Sequence, residues 1–247
     1  VPALAIQPGL RMVADVDPTN TVAELNEDDN AFPLNGHPID VPVEFTGPLN
    51  VTFVPVYQGA TGLTGDATSQ NAEEFLTFAR KVLPIKDYNF TIHSTFTTSA
   101  PALESNNGNG AWITILGEMN TLRVAEGSSN YYMGIVGTTY TSGVAGFGFV
   151  PGRAAVAWDK LPNAASIFAH ELGHNLSRLH APCGGAASAD PAYPYPLGNI
   201  GVYGYDIAIG QLKPTSTSDL MGYCGFGWIS DYNYKGILDY RRTNPGS

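Results

Sequence analysis

Apolar and polar positions follow two different rhythms along this chain, and the change falls near residue 45. Before it, short alternating stretches such as Arg11-Met12-Val13-Ala14-Asp15-Val16 are separated by Pro2, Pro8, Pro18, Pro33, Pro38 and Pro42, a pattern of brief strands and turns. From residue 50 strands and helices alternate. Asn50 to Tyr57 is a β-branched run of strand type. Phe75, Phe78, Ala79 and Val82 then recur at helical spacing, with Ser69 or Asn71 as cap, Glu73 and Glu74 in the first turn and Pro84 as the stop. Asn89 to Thr97 reads as the next strand. After Asn107-Gly108-Asn109-Gly110, the residues Trp112, Ile115, Leu116, Met119 and Leu122 form one face of a second helix. Tyr131 to Val136 and Ala154 to Trp158 are two further strands, and the Gly-rich stretch between them is expected to hold a bulge or tight turn. Pro162 and Asn163 start a helix that runs into His170 and His174. Beyond His180 the chain is rich in Gly, Pro and Tyr, and a last helix or turn is expected only at Ser230 to Tyr240.

The expected division is therefore a β-rich N-terminal segment, residues 1–45, followed by a larger domain, residues 46–247. With 247 residues and 43% hydrophobic content the chain can fill a core, which argues against disorder or a fibre. No apolar run approaches the roughly 20 residues of a membrane helix, so no membrane span is expected. Val1 is not followed by a charged-then-apolar leader, which suggests a mature or trimmed fragment.

The net charge of −10, with no basic cluster, argues against nucleic acid as a partner. Most of that acidity lies in residues 1–45, where eight acids face Arg11 alone. A solvated face explains it, and a calcium site using Asp15, Asp17 and Glu24 to Asp29 is the sharper alternative, without a ligand-loop spacing to support it. Val22 to Asn30 resembles the closing strand and turn of immunoglobulin-like adhesion modules of bacterial extracellular proteins. An acidic turn or a propeptide remnant fits it as well. Cys183 and Cys224 are the two cysteines. A bond between them would close a loop worth about 4 kcal/mol and would imply an oxidising, extracellular compartment, while two free buried thiols remain the alternative.

The candidate chemistry sits at His170-Glu171-Leu172-Gly173-His174. Two histidines four residues apart share a helix face and can place two imidazole nitrogens on one ion. Glu171, on the adjoining face, can take a proton from a water that zinc has acidified. No Glu follows Glu171, which excludes the class that completes the site with a downstream glutamate. His180 lies six residues after His174; a continued helix would turn it away, so the helix must end near Ser177 for His180 to become the third ligand.

With Ser218-Asp219-Leu220-Met221-Gly222-Tyr223-Cys224 further on, the chain resembles the metzincin clan of zinc endopeptidases, in a variant with Ser177 where the clan has Gly. The resemblance implies an α/β catalytic domain over 46–247: a twisted mixed sheet, two packing helices and an active-site helix in an upper part (46–180), and an irregular lower part (181–247). It implies one catalytic zinc held by His170, His174 and His180, Glu171 as the acid–base group, Met221 in a turn beneath the metal, and Tyr223 as an oxyanion stabiliser. A Cys183–Cys224 disulfide would tie the third-ligand loop to that turn, and Asn175, Arg178 and Asp219 are candidates to orient the histidines. His37 and His93 are read as ordinary loop and strand residues. The substrate would be a protein or peptide lying along an edge strand between Val144 and Trp158, with pocket walls expected from Tyr193 to Tyr205. Two other functions compete: a zinc-containing adhesion module without catalysis, and a zinc hydrolase of a non-peptide amide. Glu171 separates the first from an enzyme, since a structural ion has no need of it.

Overall fold

Proline-rich sequence yields only two-residue strands at the start of the chain: β1 (Arg11–Met12), β2 (Ala14–Asp15), β3 (Ala31–Phe32) and β4 (Ile39–Asp40), with β1 paired to β4 and β2 to β3, all antiparallel. The computed structural model describes residues 5–244 and separates Val1–Phe45 from Thr46–Ser247 as two units. No described residue of the first unit is buried. Asp17 and Glu27 act locally, as turn formers. Asp17 accepts from Val22 N at 2.6 Å and from Thr21 Oγ1 at 2.8 Å, and Glu27 accepts from Glu24 N at 3.1 Å. No strand lies within residues 22–30, so the closing strand expected there is replaced by turns, with Val22 and Leu25 exposed.

The second unit is built on a mixed seven-stranded sheet. Its strands are β5 (Leu49–Gln58), β6 (Leu63–Thr64), β7 (Tyr88–Ile92), β8 (Phe96–Thr98), β9 (Tyr131–Val136), β10 (Gly146–Gly148) and β11 (Ala154–Trp158). β5 pairs in parallel with β9 on one side and with β7 and β8 on the other, and β9 pairs in parallel with β11. β10 runs antiparallel to β11 at the sheet edge, and the two-residue β6 pairs antiparallel with β5.

Every residue of β9 and β11 is buried, as is most of β5, because helices cover both faces and a parallel strand covered twice reads as a continuous apolar run. On one face Phe53 meets Phe75 of α1 (Ala72–Leu76) and a further ring, Phe168, each at 5.6 Å. α2 (Ala79–Val82) follows α1, so the single helix expected over this stretch is two short ones. The break comes at Thr77, whose hydroxyl donates to Glu74 O. On the other face α3 (Ala111–Ala125) lies against Gly134, where a Cβ would come within 2.9 Å of the Met119 side chain. Phe168 belongs to α4 (Ala164–Asn175), which packs on β11, β10 and α1.

Past α4 the chain is irregular, as expected, apart from a hairpin the sequence reading omits: β12 (Gly204–Asp206) with β13 (Gln211–Lys213). Asp206 pairs with Lys81 at 2.9 Å, and Gly204 lies so close to Trp228 that a Cβ would sit 2.4 Å from the indole. The last helix, α5 (Asp231–Thr243), begins where Ser230 accepts from Asn233 N at 3.1 Å. Among the described residues no helix is long and apolar enough to cross a membrane. Phe168, fully buried between sheet and helices, is the main aromatic link between the sheet and α4. Phe168→Ala should cost about 3–5 kcal/mol, read as a lower urea midpoint with an unchanged slope.

Candidate metal centre

His170, Glu171 and His174 occupy the last two turns of α4 and are all buried. The helix stops at once after them. Ser177 N donates to His174 O at 2.9 Å and Arg178 N to Gly173 O at 3.0 Å, the paired bonds of a Schellman stop, with Ser177 in the left-handed region at φ 69°. That turn carries the chain back so that His180 faces the two helix histidines. Ring centroids lie 4.7, 5.3 and 4.5 Å apart for the three pairs.

Each imidazole is held from behind by a backbone carbonyl. His170 Nδ1 donates to Leu220 O at 2.8 Å, His174 Nδ1 to Arg178 O at 2.7 Å and His180 Nδ1 to Ala187 O at 2.6 Å. A carbonyl only accepts, so each Nδ1 carries the proton and each Nε2 presents a lone pair. The three candidate ligand atoms lie within 4.8 Å of one another, and His174 Nε2 and His180 Nε2 are 3.0 Å apart. Two bare lone pairs at that distance repel. A cation between them resolves the conflict, and these three residues could hold a metal ion. They are the one such grouping of His, Cys, Asp and Glu among the described residues, so the acids at 15, 17 and 24–29 do not gather into a site.

Burial lowers the pKa of His170 to about 3 and that of His174 to about 4, with the neighbouring imidazoles adding to the effect, and lowers that of His180 as well. Neutral rings are the ligand form. Burial pushes the Glu171 carboxyl the opposite way, well above the ordinary carboxylate range, and its Oε2 has no hydrogen-bond partner. All four side chains line a cavity of about 670 Å³, together with Val144 to Gly148, Trp158, Ile167 and Phe226. Tyr223 stands at its mouth, half exposed, its hydroxyl donating to His180 Nε2 at 3.1 Å. Burial and the Glu171 charge raise its pKa.

Met221 is fully buried against α4; a Cβ at Gly173 would fall 2.5 Å from its sulfur. Cys183 and Cys224 form a disulfide, and the segments flanking it also pair, Ala181 N with Met221 O at 3.0 Å and Tyr223 N with Cys183 O at 3.1 Å. Asp219 touches no histidine. It accepts from Met221 N and Ser230 N, both at 2.7 Å, and so shapes the turn whose Leu220 carbonyl holds His170. Asn175 donates to Phe149 O and Ala154 O, fastening the end of α4 to the sheet. Arg178 serves His174 through its carbonyl. His93 bonds Glu126 at 2.8 Å and lines none of the cavity.

No family model and no curated protein matches the chain. Among solved structures it is similar to metalloproteinase-II from Bacteroides fragilis, at 16% identity and a TM-score of 0.44. The likeness covers 81% of this chain and 55% of that one, so the chain spans little more than half of that protein.

One wall of the site differs from the sequence reading. The stretch from Tyr193 to Tyr205 lines none of the cavity; Tyr193 and Tyr195 instead bond Asn199 O and Asp231. In its place the wall is β10, within the Val144–Trp158 region expected to hold the edge strand, where a Cβ at Gly146 would lie 2.6 Å from Glu171 Oε1 and one at Gly148 2.8 Å from Glu171 O. The alternation Gly146-Phe147-Gly148 was the available signal, since glycine at every second strand position marks a face pressed on backbone or ligand.

Left-handed Ser177 carries strain of about 1 kcal/mol that glycine would not. Ser177→Gly should raise the thermal midpoint by roughly 2–4 °C in a scanning calorimeter, and Ser177→Val should lower it. The buried rings also set a pH dependence for the metal-free protein. The unfolded chain protonates His170 and His174 near 6.5 and the folded chain does not, so their contribution is complete above about 6.5 and is lost as pH falls toward 4. Glu171 acts in the opposite sense, its contribution falling as pH rises past about 4.5. Thermal midpoints against pH should show the acid loss in both wild type and Glu171→Gln, and the opposing Glu171 contribution in wild type alone.

Proposed function

We propose that this chain is a zinc-dependent endopeptidase of metzincin organisation, hydrolysing internal peptide bonds of proteins. The observation that carries the reading is the convergence of three neutral imidazole nitrogens in a cavity that a buried, unpartnered carboxylate also lines. Three nitrogen donors with an open fourth position suit catalytic zinc. When bound there, zinc supplies a Lewis acid that polarises a carbonyl and acidifies a water.

The chain's own groups supply the rest. Glu171 takes the proton of the attacking water and delivers it to the leaving amine, a task that fits a carboxyl whose proton affinity burial has raised. Tyr223 donates its hydroxyl hydrogen bond to the oxyanion as it forms. The free edge of β10 receives an extended peptide as an additional strand, and its two glycines bring that strand close to Glu171. Residues 46–180 form the upper wall of the cleft and 181–247 the lower. The disulfide favours an oxidising, extracellular setting.

Wild type and Glu171→Gln, each with zinc content measured, should be compared on a mixed protein substrate with mass-spectrometric detection of new termini. Equal zinc with at least about a 100-fold loss of cleavage is expected. Equal cleavage by both, or none by zinc-loaded wild type, would return the site to a structural ion or to a non-peptide amide.

A further inference from the structure

The proposed reaction requires three imidazoles held in one arrangement, and the supports of all three meet on a side chain outside the cavity. Arg178 follows the stop of α4, and its carbonyl is the acceptor that orients His174. Its guanidinium reaches away from the cleft. Nε donates to Asn233 Oδ1 at 2.9 Å, and Asn233 in turn donates to Asp219 Oδ1 at 2.8 Å. Asp219 is the fully buried carboxylate that shapes the turn carrying Leu220 and Met221, and Leu220 O is the acceptor for His170. On the other side Arg178 Nη2 lies 3.8 Å from Asp190 Oδ2, whose backbone N donates to His180 O at 2.7 Å. Tyr232 completes the cradle, with its ring 4.9 Å from the guanidinium and its hydroxyl donating to Asp190 Oδ2 at 2.8 Å.

α5 is shaped to admit this group. A Cβ at Gly236 would fall 2.1 Å from Arg178 Nη1, although glycine inside a helix is less stabilising than alanine. The chain thus accepts a weaker helix at the one position where the guanidinium lies across it.

We infer that Arg178 is a positioning residue for the metal centre, a planar fork that locks the carbonyl behind His174, the turn behind His170 and the segment bearing His180 to the same helix. A lysine cannot reproduce it, because one ammonium lacks the two-sided geometry of the guanidinium. The inference rests on the zinc reading above, and its test keeps the two separable.

Zinc affinity would be measured by competition with a chromophoric chelator on the whole chain as wild type, Arg178→Met, Arg178→Lys and Gly236→Ala, alongside the visible spectrum of the Co2+ forms. Arg178→Met should bind zinc about 10–100-fold more weakly and show a shifted Co2+ band, with Arg178→Lys recovering only part. Gly236→Ala is the decisive variant, because helix propensity alone would make it more stable. It should instead lose zinc affinity and alter the Co2+ band while the far-ultraviolet dichroism of α-helix is retained. Should Arg178→Met fail to fold, Gly236→Ala and Arg178→Lys carry the test. Affinity within twofold of wild type and unchanged spectra in the folded variants would overturn the positioning role and leave the peptidase reading standing. A wild type that binds no zinc would overturn both.

Discussion

Three imidazole N–H groups donate to three backbone carbonyls, and those carbonyls come from the turn at Leu220, the helix stop at Arg178 and the loop at Ala187. Much of the domain outside the sheet serves to hold those acceptors. The disulfide and its flanking backbone pairs bring the third-ligand loop to the Met221 turn, Asp219 fixes the turn itself, and α5 anchors both through Asn233 and Tyr232. The ligands are therefore not merely near one another. Their tautomers are settled before any ion arrives, so binding requires little rearrangement of the rings.

What could be read from sequence divides by the range of the interactions responsible. β9, β11 and the histidine face of α4 were legible because their signals are local: a continuous apolar run for a twice-covered strand, and i, i+4 spacing for the ligands. The strand expected over Asn89 to Thr97 is two, β7 and β8, and between them His93 bonds Glu126, just past the end of α3 and 33 residues away. The edge strand could be placed only within Val144 to Trp158, and the bounds of β10 stayed hidden because glycine carries no polarity, so the alternation that marks a strand vanishes in Gly146-Phe147-Gly148. The three carbonyl acceptors were beyond sequence reasoning altogether. Backbone oxygens have no residue-type signature.

Glycine placement turns out to describe the site almost as well as the histidines do. Gly173 admits the Met221 sulfur beneath α4, Gly146 and Gly148 bring the edge strand onto Glu171, and Gly184 at φ 68° passes beside the Tyr223 backbone. Each is a place where two backbones or a backbone and a functional side chain approach closer than a Cβ permits. A metal centre assembled from one helix and three loops depends on such approaches, because no single element spans it.

Ser177 gives the candidate centre an uneven firmness as well as a geometry. His170 and His174 ride on one rigid helix, whereas His180 is joined to them through a residue held in a conformation that a serine tolerates at a cost of about 1 kcal/mol. That amount is a factor of about five in an equilibrium constant. The turn that brings His180 to the other two rings is accordingly held about fivefold less firmly than it would be by a glycine. How firmly the three imidazoles are kept together is thus set in part by a residue that lines none of the cavity.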